Sequence, residues 1–134
     1  MNLLFLEALF IGYYVITLYI IFNFFNLNLN FYIELFIIGF IKHFLGYYLG
    51  LHEYYCNSGC KNKGDTDIYI VINNDLFIQS IIEGLLFVLL GYIINNFNDN
   101  KYYTYFILGF LLHLMGDLLG FHKNFCNNYC YKKK

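Results

Sequence analysis

Between Glu7 and Glu34 the chain carries no Asp, Glu, Lys or Arg. An apolar run of that length exceeds what one helix of a small soluble domain buries, and it covers the roughly 20 residues needed to cross a hydrocarbon core. Composition extends the point to the whole chain. Of 134 residues, 60% are hydrophobic and 23% aromatic, against 13% charged, and a soluble domain of this size leaves too much surface in water to hide them. The net charge of −1 provides no concentrated basic face, so nucleic acid is not expected as a partner and the lipid bilayer is. The length suits one domain, residues 1–134.

Four spans are expected, over residues 3–25, 31–51, 76–94 and 102–121, divided by an Asn-rich turn, a polar loop at 53–75 and a second Asn-rich turn. The fold class this implies is all-α, a four-helix transmembrane bundle. The first run lacks the basic start, the short apolar stretch and the small-residue cleavage site of a signal peptide. Alternation suited to a lipid-facing β-barrel is missing too. Four spans place both termini and the 53–75 loop on one side, together with Lys61, Lys63, Lys123, Lys132, Lys133 and Lys134, whereas the turns hold only Lys101. By the positive-inside rule the cysteine-bearing side is cytoplasmic.

At an offset of 70 residues, twelve of the twenty-five positions from 36 to 60 are identical to their counterparts. Such a match reads as an internal repeat. Repeat one covers 1–63 and repeat two 76–134, with 53–75 as the connecting loop, so the bundle is expected to consist of two parallel two-helix repeats. The first and third spans match more loosely, through Glu7 and Glu83. On a helix, Gly39, His43, Gly46 and Gly50 lie within about 60° of one another, as do Gly109, His113, Gly116 and Gly120. Small-x-x-x-small stripes of this kind let helices approach closely in lipid, and the second and fourth helices are expected to pack through them.

Ionisable groups inside a membrane are costly and face the bundle interior. Glu7, Glu83, His43 and His113 all lie toward the cysteine side and form a candidate Glu2His2 constellation for a metal or a proton. The two imidazoles also suit axial ligation of haem, while plain hydrogen bonding across a helix interface needs no cofactor at all. Lys42, unmatched in repeat two, is expected to snorkel or to pair with a glutamate. A second constellation is His52-x-x-x-Cys56-x-x-x-Cys60, repeated as His122-x-x-x-Cys126-x-x-x-Cys130. Four thiols and two imidazoles suit tetrahedral zinc; two disulfides, redox-active thiols and unlinked thiols are the alternatives.

Four helices with two cysteine pairs resemble the quinone-linked thiol oxidases of the DsbB and vitamin K epoxide reductase type, but the C-x-x-C pair those enzymes use is absent. Twin C-x3-C segments resemble those of small intermembrane-space chaperones, where both lie on one soluble hairpin. Taken whole, the Asn-, Ile-, Lys-, Phe- and Tyr-rich composition with the repeated His/Cys pattern resembles uncharacterised small multipass membrane proteins of large DNA viruses with A+T-rich genomes. A virion or organelle membrane component fits that resemblance. The expected function is structural or assembly-related, with the Cys/His helix ends clamped by zinc or disulfides. The alternative is a redox, metal- or haem-binding membrane protein. A homo-oligomer or a membrane-protein partner would complete a thin bundle, and enzyme activity is not expected.

Overall fold

The computed structural model describes residues 3–49 and 74–120. Within them the chain is all-helical, without strands: α1 (Leu3–Phe24), α2 (Phe31–Tyr48), α3 (Asn74–Asn95) and α4 (Lys101–Leu118). These bounds follow the apolar runs, and the asparagines stop and start them. Asn30 caps α2 by accepting from the Tyr32 amide at 3.0 Å, and Asn100 caps α4 by accepting from the amides of Tyr102 at 3.0 Å and Tyr103 at 3.4 Å. A side-chain oxygen at this position satisfies amides that the first helical turn leaves open. Asn26 and Asn28 adopt φ of 52° and 43°, a left-handed conformation that asparagine accepts more readily than other non-glycine residues.

Each helix has one close neighbour that is not its hairpin partner. α1 packs along α4 and α2 along α3, while α1 against α2 and α3 against α4 touch only lightly. The core between them comprises Ile11, Val15, Tyr19, Leu35, Ile38, Phe87, Tyr105 and Leu108. α2 and α4, expected to meet through their glycine stripes, instead stand across the bundle from each other. The glycines make room for different partners. A Cβ on Gly39 would come within 2.7 Å of the Phe87 ring on α3, and one on Gly109 within 2.8 Å of Val15 and 2.9 Å of the Ile11 carbonyl oxygen on α1. Gly46 is buried and Gly116 half-buried. Gly120 falls past the end of α4 at φ 77°, with open space about it. It terminates the helix, as a left-handed glycine commonly does, and does not extend the stripe.

The serine and threonine hydroxyls of the described helices bond locally. Ser80 donates to the Leu76 carbonyl at 2.8 Å, Thr17 to Tyr13 at 2.9 Å and Thr104 to Asn100 at 3.1 Å. Each hydroxyl thereby finds its acceptor one turn back in its own helix and leaves no unsatisfied donor among apolar neighbours. The outward surfaces are another matter. Phe10, Tyr13, Ile20 and Ile21 on α1, and Ile82, Leu85, Leu89 and Ile93 on α3, are all exposed. Among the described residues two helices are long and apolar enough to cross a membrane, α1 and the Leu76–Asn95 stretch of α3. Four such spans are expected from the sequence. α2 and α4 are 18 residues each and contain Glu34, Lys42 and His43, or Lys101, His113 and Asp117, which bring them below the same criterion.

Candidate functional site

Polar side chains of the helices collect at two interfaces in the C-terminal halves of α2 and α4 and at one point near the asparagine turns. Between α2 and α3, Lys42 Nζ is ion-paired with Glu83 Oε1. His43 Nδ1 lies 2.5 Å from Glu83 Oε2, and its Nε2 lies 3.3 Å from Gln79 Oε1. Both carboxylate oxygens of Glu83 are therefore engaged, by neighbours that leave α2 at consecutive positions. The Tyr14 hydroxyl reaches over from α1 to donate to the Lys42 carbonyl at 3.3 Å. Breaking one partner out of such a part-buried set leaves the other with an uncompensated desolvation cost, so the cluster fastens α2 to α3.

Between α1 and α4, His113 Nε2 faces Glu7 Oε2 at 3.6 Å, with the imidazole 5% and the carboxylate 22% exposed. This is longer than a direct hydrogen bond. Near the turns, the Tyr105 hydroxyl donates to Glu34 Oε1 at 2.7 Å, and Lys101 Nζ lies 3.8 Å from the same oxygen and 5.5 Å above the Phe31 ring. Tyr19 stacks on Tyr105, centroids 4.5 Å apart, and Tyr102 meets Tyr19 edge-on at 5.3 Å.

Glu7, His43, Glu83 and His113 thus fall into two pairs on separate helix interfaces. Among the described residues no three of His, Cys, Asp and Glu gather as a metal site. The second expected constellation, His52, Cys56, Cys60, His122, Cys126 and Cys130, lies outside the described residues, as does Gly50.

The contacts recur at matched positions, in a register other than the one that aligns Glu7 with Glu83. Phe77 meets Phe40 edge-on at 5.6 Å, and Phe5 meets Phe110 edge-on at 5.5 Å. The Phe36 ring lies against Gly84 and the Phe106 ring against Gly12, both 2.8 to 2.9 Å from where a Cβ would be. Phe87 fills the space over Gly39, and Val15 that over Gly109. Each pair keeps the offset of 70 between α2 and α4 but sets α1 against α3 at 72. In that register Leu4-Phe5, Gly12, Asn23 and Phe25-Asn26 are identical to Leu76-Phe77, Gly84, Asn95 and Phe97-Asn98. The two-residue difference is absorbed in the turn, where Asn26 precedes the cap Asn30 by four residues and Asn98 precedes Asn100 by two.

The shift changes which residues are equivalent. Glu7 corresponds to Gln79, the other group facing the histidine, and Glu83 corresponds to Ile11. Since Lys42 corresponds to Leu112, the lysine and the glutamate of the first interface are both apolar in the second. Glu34 and Tyr105 are matched to Thr104 and Leu35, so their carboxylate–phenol pair has no equivalent in the other repeat.

No family model, curated protein or solved structure matches the chain.

Proposed function

We propose that the protein is an integral membrane protein with a structural or assembly role, its four helices forming a duplicated bundle of two parallel hairpins in lipid. One observation supports this most: α1 and α3 present large apolar side chains outward on all free faces, while the ionisable groups turn inward onto one another. A helix apolar all round is either buried or in a membrane, and only 28% and 22% of the spans on α1 and α3 are buried. Inward carboxylates and imidazoles with partners on the next helix are the arrangement a bilayer favours.

In this reading α2 and α4 cross with their neighbours, their charged residues paired with groups on α3, α1 and each other. Both Asn-rich turns lie on the far side, the 53–75 loop and the Cys/His segments on the cytoplasmic side, and zinc or disulfides clamp the helix ends. Alkaline carbonate extraction and thiol mapping test it. Membranes should retain the chain at high pH, and single cysteines placed at Asn28 and Asn98 should react with an impermeant maleimide from outside while the native cysteines do not. Release into the aqueous fraction, or labelling of only one turn, rules out the four-span bundle. Zinc content and free-thiol counting on the purified chain separate the two clamps.

A further inference from the structure

The two histidine interfaces occupy matched places yet differ in every flanking polar residue. His43 faces Gln79 and Glu83, with Lys42 bound to the same glutamate. His113 faces Glu7, with Leu112 and Ile11 where the lysine and glutamate stand in the other interface. In the first, a lysine neutralises the carboxylate and the histidine's second neighbour is an uncharged amide. In the second, the carboxylate sits in the amide's position, and among the described residues no lysine is paired with it.

From this divergence we infer that Glu7 and His113 form a proton-binding site, and that the Lys42–Glu83–His43 cluster is its fixed counterpart. A carboxylate and an imidazole facing each other at 3.6 Å within a helix interface hold one proton between them as an ion pair, and can take up a second on Glu7 or release the one on the ring. Each step is a transfer to or from water and requires no other reactant. The 22% exposure of the Glu7 side chain provides the route. The charged groups of the packed helices are placed as follows among the described residues. On α4, Asp117 lies one turn beyond His113 and carries the same sign of charge as Glu7. From α2, Lys42 and His43 are turned to Glu83 of α3, and Tyr14 of α1 donates to the Lys42 carbonyl. The inference does not depend on the bundle lying in lipid, so failure of the membrane mapping would leave it standing.

The test uses the full chain in detergent. Infrared difference spectra across pH read protonated carboxyls, and 15N-histidine spectra read the four imidazoles, with His113 assigned through His113→Asn. Glu7→Gln places in the second interface the amide that the first already accommodates at Gln79, so the fold should tolerate it. The expected result is loss of one titrating carboxyl per chain and a change of about tenfold or more in the proton affinity of His113, one pH unit in midpoint. The double variant Lys42→Leu/Glu83→Ile, which copies the second interface onto the first, should leave both signals in place. An unchanged His113 midpoint in Glu7→Gln overturns the proposal. So does an equal change in the double variant, or a wild-type pair that does not titrate.

Discussion

The Tyr105 hydroxyl donates a 2.7 Å hydrogen bond to Glu34 Oε1, linking α4 to α2 across the bundle, where their backbones do not adjoin. Tyr105 is fully buried and Glu34 nearly so. Tyr105→Phe leaves the carboxylate with Lys101 at 3.8 Å as its remaining partner. The expected loss is about 2 kcal/mol, the range for a hydrogen bond to a charged group. Unfolding by graded SDS in mixed micelles measures it. Glu34→Gln keeps an acceptor for the hydroxyl and should cost less; the opposite order would mean that Lys101, not Tyr105, holds the carboxylate.

The Lys42–Glu83 pair should show strong coupling. Lys42→Leu strands a part-buried carboxylate beside His43 and should cost about 2 kcal/mol, below the range for a fully buried pair. Replacing both, as Lys42→Leu/Glu83→Ile, restores the apolar combination found at Leu112 and Ile11 and should recover at least half of that loss. A double-mutant cycle in the same unfolding assay reads the coupling directly.

Glycine substitutions should rank by what the new methyl meets. Gly109→Ala drives a carbon to within 2.9 Å of the Ile11 carbonyl oxygen and 3.1 Å of Gly12 Cα, so backbone must move. Gly39→Ala meets the Phe87 ring at 2.7 Å, a rigid but side-chain obstacle, and Gly91→Ala meets the methyls of Leu35, which can rotate away. Overpacking costs about 1–3 kcal/mol. The expected order of destabilisation is Gly109, then Gly39, then Gly91, and helix separation measured by crosslinking between α1 and α4 should change only for Gly109→Ala.

The helix caps offer a fourth, local comparison. Asn30→Ala and Asn100→Ala each remove an acceptor from the first turn of α2 or α4, at about 1 kcal/mol apiece. Asn26→Gly, at φ 52°, should be neutral or mildly stabilising because glycine adopts that conformation without strain. Thermal melts of the three variants beside wild type decide it, and a stabilised Asn100→Ala would show that the cap is not formed.

The four helices were legible because apolar runs and asparagines mark their limits in the sequence itself. How they pair was not. A glycine stripe announces a close approach without naming what fills it, and the fillers, Phe87 and Val15, are unremarkable positions on α3 and α1. The register between α1 and α3 was hidden by the coincidence of Glu7 and Glu83. A search that allowed a two-residue gap in the turn would have found it through Leu4-Phe5 and Asn23. Tyr105 and Glu34 gave no signal at all, since their counterparts Leu35 and Thr104 differ and only proximity joins them.

The pairing of α1 with α4 and of α2 with α3 also sets an order of completion. During synthesis α1 and α2 emerge as a hairpin whose mutual contact is slight, and α2 first gains its close partner when α3 appears. The face of α1 carrying Gly12 and Val15 must wait for the last helix. Closure of the α1–α4 seam joins the most distant parts of the described chain and bears the largest loop-closing entropy. A ribosome that pauses after α3 therefore holds a three-helix chain with that seam still open.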